Sequence, residues 1–445
     1  MVDVVVVGAG PVGLWLAAEL RLGGASVTVV ETRECPDPRS KALTIHPRTI
    51  EILDTRGAAE PFLAEALRIP NGHFGGLPDR LDFSRLDTPF PFTLALPQVR
   101  TEELLEARAR MLGAIIQRGR RVTGLTAGGV KIDGGEVIEA RYVVGCDGTR
   151  STVRQAAGIE FPGVDATIWS WLGDVVLDRP PARGAANITG PTGGIMIVPM
   201  PGGIHRIVGG TPQSKQPEWP GELSLDELRE TVQLIAGTDY GMRDPVWLSR
   251  FSNATRQAAT YRSGTVLLAG DAAHMHFPAG GVGMNVGIQD SHNLGWKLAA
   301  VVTGRADDSL LDTYHEERHP VGAQLLEHTR AQTALINAYS ADGQALRAML
   351  SRLIATTPDL AHQLAEQLSG LAVTYPSGRR VRYLRFADGS TLFELLRAGR
   401  QVQLDLTGSG QRPDTDAVWH SCPLAADETP PDWTTARIRP DGHLA

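Results

Sequence analysis

Val-Val-Val-Val-Gly-Ala-Gly-Pro-Val-Gly, residues 4–13, decides how the rest of the chain is read. Val4 to Val7 is a continuous β-branched run, the pattern of a strand buried on both faces of a parallel sheet. It runs into Gly-x-Gly-x-x-Gly, after which Val12, Leu16 and Leu20 recur at helical spacing. A helix therefore opens within the glycine loop, at Pro11 and Val12, and lays one stripe on the sheet. A second apolar run, Ala25 to Val30, ends at Glu31 and Thr32, with the acid 18 residues after Gly13. That is near the spacing at which a carboxylate takes the ribose hydroxyls of a dinucleotide. The three glycines have separate tasks: Gly8 permits the tight turn, Gly10 admits a diphosphate to the backbone, and Gly13 lets helix and strand close together. The helix N-terminus offers free N–H groups and a positive dipole end to the phosphates. An acid at the second strand's end favours a free ribose diol, hence FAD or NAD rather than NADP in this pocket.

Bulk properties bound the setting. The chain has 445 residues, enough for two or three domains, and its 42% hydrophobic and 21% charged content is that of a globular protein. A net charge of −7 and the lack of a Lys/Arg run argue against a nucleic-acid partner. Cys35, Cys146 and Cys422 are far apart and form no CxxC, which points to a reducing, cytoplasmic setting. No signal-peptide pattern or membrane-length apolar run is expected.

Two further stretches repeat the opening logic. Arg141 to Cys146 is an apolar strand entering Asp147-Gly148, and residues 264–271 run Gly-Thr-Val-Leu-Leu-Ala-Gly-Asp. Each presents one carboxylate beside a glycine at a strand's C-terminal end, where open α/β sheets bind ligands. Taken singly, Asp147 and Asp271 also read as helix or turn caps. His274 and His276, at i, i+2 without a third ligand, make a poor metal site, and no metal is expected. No GxSxG elbow supports a hydrolase.

Taken together, the GxGxxG, GHFGGL (72–77), LPQVRTEELL (96–105), VVGCDGTRSTVR (143–154), FSNATRQA (251–258), LAGDAAHMHFPAGG (268–281) and IQDSHNLGWKLAAV (288–301) resemble the class A FAD-dependent aromatic polyketide hydroxylases. This is the subgroup of angucycline, anthracycline and tetracycline hydroxylases and rifampicin monooxygenase. The resemblance implies an α/β fold: a Rossmann-like FAD domain from 1–160 and 251–375, a mixed-sheet substrate domain from 161–250 plus about 72–98, and a thioredoxin-like tail from 376–445. The tail ends RPDGHLA, before elements expected in relatives, and solitary Cys422 reads as structural.

The resemblance also implies roles. FAD would be bound non-covalently by Gly8, Gly10, Pro11, Val12, Gly13, Glu31, Thr32, Lys41, Gln98, Val122, Asp147, Asp271, Gly283, Met284 and Asn285. Lys41 stands where relatives carry arginine, keeping the charge but losing the bidentate fork. Gln98 otherwise reads as a helix cap. The 269–285 loop would lie along the flavin ring, its small residues letting backbone N–H groups approach the edge. His46, Phe74, Trp169, Trp171, Met196, Pro278, Ala279, Gly280 and Val282 are the expected substrate residues, although Trp169 and Trp171 could equally be sheet core. Val282 replaces a glutamine of relatives, which is expected to change polarity beside the ring. NADPH would reduce the flavin without a GxGxxG of its own, and a flavin hydroperoxide would hydroxylate a polycyclic aromatic polyketide in antibiotic biosynthesis. No side chain need act as nucleophile. Baeyer–Villiger insertion or oxidative rearrangement on a quinone is the alternative, and a non-catalytic flavin-binding protein the distant one. Either a monomer or a homodimer is expected.

Overall fold

A computed structural model describes residues 1–182, 184–410, 412 and 417–445. The Val2–Val7 strand is central to a sheet whose parallel strands, taken in space, are Val266–Leu268, Val137–Gly145, Val2–Val7, Val27–Glu31 and Ile115–Arg118. Numbered along the chain this order is 5-4-1-2-3, the doubly wound arrangement, with its reversal beside the first strand. Val4, Val5 and Val6 are fully buried, as a strand covered on both faces requires.

The Pro11–Leu22 helix follows the glycine loop and packs against the 20-residue Gly283–Val302 helix. Their close approach has a sequence cause: Gly287, Ser291, Gly295 and Ala299 recur every fourth residue and place small side chains along one face. A Cβ on Gly287 would press on Val12 and one on Gly295 on Glu19, while the Ser291 hydroxyl donates to the Val12 carbonyl at 2.8 Å. The helix starts at Gly283.

The middle of the chain forms a five-stranded antiparallel sheet, in the order Ala186–Gly190, Gly193–Pro199, Ile204–Gly210, Trp169–Leu177 and Met242–Ser252. Its helix-facing side packs on Leu225–Ala236 through Val175, Ile195, Ile197, Ile207, Leu228 and Val232. The 72–98 stretch adds no strand to this sheet. It forms small sheets of its own, pairing Thr93–Ala95 with Thr44–Ile45 and Leu67–Ile69.

A proline removes a backbone hydrogen bond, yet Pro320 does not end a helix. It lies inside Asp312–Ile336, whose Glu317, Arg318, Val321 and Leu325 are buried, so tertiary packing offsets the lost backbone bond. Pro358 does behave as a helix start, at the first position of Pro358–Ser369. After residue 376 a three-stranded sheet centres on Val402–Asp405, parallel to Val418–Ser421 and antiparallel to Thr435–Ile438. No helix among the described residues is long and apolar enough to cross a membrane.

Candidate active site

Parallel register brings the three glycine–acid stretches to one edge. Val7 aligns with Gly145, and Gly145 with Leu268, so residues 8–13, 147 and 271 all emerge from the sheet's carboxyl end. The joints are tight: the Cys146 N–H donates to the Val7 carbonyl at 2.8 Å, and the Ala269 N–H to the Gly145 carbonyl at 3.0 Å.

The glycines divide their work as expected. Gly8 has φ +106°, and a Cβ there would collide with the Cys146 carbonyl. A Cβ on Gly13 would collide with the Gly8 carbonyl, whereas one on Gly10 meets nothing within 4 Å. Gly10 thus borders open space at the mouth of the helix. The first helical bond comes from the Leu14 N–H to the Gly10 carbonyl, leaving the N–H groups of Val12 and Gly13 ahead of the ladder. Glu31 is buried beside them, accepting from the Ala9 N–H at 2.8 Å and from the Arg33 N–H and guanidinium at 2.9 and 3.0 Å. Burial pushes its carboxyl up, but these donors hold it below the ordinary value, so it stays ionised. Thr32 and Lys41 are exposed nearby, and the Lys41 carbonyl accepts from Arg206 at 3.2 Å. Gln98 is not a cap. It accepts from the Ala42 N–H at 2.9 Å and donates to Glu102 at 2.7 Å, fixing the 40–42 segment. Val122 is buried at the start of the Val122–Thr126 strand.

Asp147 accepts from the Ser151 hydroxyl and the Val153 N–H, and burial raises its carboxyl. Ser151 is the N-cap residue of the Thr152–Ala156 helix, accepting from the Arg154 N–H at 2.9 Å, and Asp147 takes the Val153 N–H of the same first turn. Asp271 is exposed at the same edge. Arg154, passed over in the sequence, joins these two motifs by donating to the Ala272 and Thr149 carbonyls at 2.9 and 2.8 Å. Its place inside the 143–154 motif was the available signal.

At the second helix mouth the first bond runs from Val286 to the Val282 carbonyl, so the N–H groups of Gly283, Met284 and Asn285 precede the ladder. The Asn285 side chain is not free for a ligand, contrary to expectation. It accepts from the His46 N–H at 2.8 Å and donates to the Thr44 and Gly281 carbonyls at 3.0 Å. The His46 ring is equally committed, with Nε2 3.0 Å from the Gly280 carbonyl and Nδ1 3.2 Å from the Thr93 hydroxyl. A carbonyl only accepts, so Nε2 carries the proton and the Thr93 hydroxyl donates to Nδ1. Burial lowers the His46 pKa to about 4. His46 is therefore a neutral tie that holds the ring-side loop, not an exposed substrate contact.

His274 and His276 serve different networks. His274 meets Asp290 at 2.7 Å, and Asp290 also accepts from fully buried Arg318 at 2.7 Å. The His276 Nδ1 donates to the Phe277 carbonyl at 2.7 Å. The Asp290–Arg318 pair spans two helices and has no periodic signature.

Strand alternation sorts the remaining residues. Trp171 turns to the helix-facing core and is 3% exposed, so it does not line the opposite face. Trp169 packs edge-on against Trp219 at 4.9 Å. Met196 alternates to the open side with Asp174 and Arg206, which form a bidentate pair at 2.7 and 2.8 Å. Phe74 is half-buried in the 72–77 loop, whose Gly75 and Gly76 carbonyls accept from Arg347 at 3.0 and 2.9 Å. Pro278 is exposed, Ala279 buried and Gly280 half-buried. Val282 is buried in an apolar cluster with Leu77, Phe83, Leu325 and Leu368, which corrects the picture of a side chain set beside the ring.

An open cradle at Gly10, an ionised acid at ribose distance in sequence and two helix mouths at one strand edge fit FAD. The comparisons agree. The FAD binding domain model matches residues 1–329. Rifampicin monooxygenase of Streptomyces venezuelae is 41% identical, over 100% of this chain and 95% of its own. The structure of OxyS anhydrotetracycline hydroxylase from Streptomyces rimosus superposes with a TM-score of 0.90 at 39% identity, covering 100% of this chain and 95% of that one. Dialkyldecalin synthase of Streptomyces rugosporus is 38% identical over 99% of this chain and 95% of its own.

Proposed function

The chain belongs to the FAD binding domain family and is a flavin-dependent monooxygenase, and we propose that it hydroxylates a polycyclic aromatic polyketide with NADPH and dioxygen. Bound FAD, once reduced, supplies the activation of dioxygen and the transfer of one oxygen atom to an electron-rich ring carbon. The carrying observation is the single edge on which the three strand ends, Gly10 and the Gly283 helix mouth converge.

The chain's own contribution is placement and electrostatics. Gly10 and the N–H groups of Val12 and Gly13 receive the diphosphate, Glu31 the adenosine ribose and Asp271 the ribityl side. Val122, Lys41 and Thr32 would border the adenosine half, and Gln98, which pins the 40–42 segment, would meet the flavin part. The N–H groups of Gly283 and Met284, at a helix N-terminus, favour negative charge at the ring's carbonyl edge. His46 and Asn285 keep that edge in place. The open side of the five-stranded sheet offers Met196, beside the Asp174–Arg206 pair, to a flat substrate, and Phe74, Pro278, Ala279 and Gly280 would complete the pocket from the loops. The separate sheets built from residues 2–268, 169–252 and 402–438 support a division of the chain near 160, 251 and 376, and the tail's mixed three-stranded sheet supports a thioredoxin-like reading of it.

The test is NADPH consumption by the FAD-loaded enzyme across a panel of aromatic polyketides, with labelled dioxygen and product mass read together. Substrate-stimulated consumption with one labelled oxygen in the product is expected. A flavin-bearing protein that no panel member stimulates would overturn the proposal, and label inserted into a ring bond would move it to Baeyer–Villiger chemistry.

A further inference from the structure

The tail brings together three side chains that the sequence scatters. An Asp388 carboxylate oxygen, a His420 ring nitrogen and the Cys422 Sγ all lie within 4.8 Å of one another, and among the described residues they are the one such His/Cys/acid group. Their approach is built by the backbone. An antiparallel bridge joins Phe386 to Leu424, the Ala387 N–H donates to the Pro423 carbonyl at 2.9 Å, and the Ala425 N–H to the Arg385 carbonyl at 2.9 Å. This ribbon sets the 387–390 turn against the end of the Val418–Ser421 strand, which holds His420, and Cys422 follows just beyond it, its N–H donating to the Asp405 carbonyl at 2.9 Å.

The donors are oriented as well as near. The Asp388 Oδ1 is taken by the Ser390 N–H and hydroxyl, at 2.9 and 2.7 Å, which leaves Oδ2 facing His420 Nε2 at 3.8 Å. The His420 ring packs edge-on against Phe386 at 4.4 Å between centroids, which fixes its plane. Ligand atoms about 2.0–2.3 Å from a tetrahedral ion stand somewhat less than 4 Å apart, so small side-chain rotations close the group on one ion.

We propose that Asp388, His420 and Cys422 form a zinc-class divalent metal site, with water in the fourth position. A thiolate and an imidazole select a borderline-soft ion over magnesium or calcium. Binding releases the Cys422 proton and ties the 386–391 turn to the sheet. The site lies in the tail, apart from the dinucleotide edge, so it does not rest on the proposed substrate.

The FAD-loaded full chain is titrated with cobalt(II) as a spectroscopic stand-in, then with zinc. One cobalt per chain with a sulfur-to-metal charge-transfer band is expected, displaced by zinc. Cys422→Ser should abolish the band, His420→Ala should weaken binding at least tenfold, and Asp388→Asn should weaken it less, all with unchanged flavin content. Because Cys35 is also free and exposed, Cys35→Ser should keep the band. No cobalt binding, a spectrum without the sulfur band, or equal affinity in Cys422→Ser would overturn the site.

Discussion

At the scale of single residues, the glycine loop separates folding from cofactor binding. A Cβ on Gly13 meets a rigid carbonyl while one on Gly10 points into open space, so the two positions should fail differently. Gly13→Ala should lose about 3 kcal/mol or more of stability. Gly10→Leu should fold and melt near the parent temperature yet carry no FAD; full flavin content in that variant would move the diphosphate elsewhere. His46 gives a pH test. Its ordinary value of 6.5 is lowered to about 4 by burial, so below pH 6.5 the unfolded chain takes a proton that the folded one refuses. Stability due to this group is complete above 6.5 and drains as the pH falls through that window, by about 2 kcal/mol at pH 5. His46→Gln should flatten the fall in melting temperature between pH 7 and 5 by a comparable amount, and an unchanged slope would show His46 already charged. Glu31 and the glycines were legible because their spacing is local. The tie of His46 to Gly280, 234 residues away, was not.

At the scale of elements, the Gly283–Val302 helix owes its position to one amide and one apolar side chain at its start. Asn285 bonds three backbone groups across the chain, and its truncation leaves buried donors and acceptors unpaired. Asn285→Ala should cost about 2–4 kcal/mol by denaturant titration and weaken FAD retention. Unchanged stability would mean water replaces the amide. Val282 was expected to act on polarity beside the ring, but its burial among leucines predicts otherwise. Val282→Gln should lose ~1–3 kcal/mol from burying an amide, with NADPH-to-product coupling per bound flavin unchanged. A clear fall in hydrogen peroxide release would restore the ring-side role. Alternation along 169–177 likewise told that Trp169 and Trp171 share a face, but not which face the Leu225–Ala236 helix would cover.

For the whole molecule, the tail is fastened to the flavin domain by buried charge. Arg439 donates to both Glu317 oxygens at 2.6 and 2.8 Å, Lys297 reaches Glu317 at 2.7 Å, and Arg48 donates to the Asp441 carbonyl at 2.8 Å. Burial raises the Glu317 carboxyl, but Arg439 and Lys297 outweigh it and hold the pKa at about 2. Glu317→Gln leaves two buried cations underpaired and should cost about 3–5 kcal/mol, with flavin released at the lowered melting temperature. A melting temperature within a degree of the parent would show the network to be solvated. These contacts tie the tail into the fold, while Cys422→Ser should leave NADPH oxidation untouched.

The sequence by itself determined the doubly wound flavin domain, the glycine–acid edge and the family. Those signals are short-range: a strand, a turn and a helix mouth need only a few neighbouring residues of the right size. Only the tertiary structure decided that Asn285 and His46 spend their polar atoms on backbone and that Val282 and Trp171 face cores. It alone also decided that residues 439–443 lock onto a helix more than 120 residues earlier. Which face of an element is covered, and which distant charge meets which, depends on how layers stack, and stacking leaves no period in the chain.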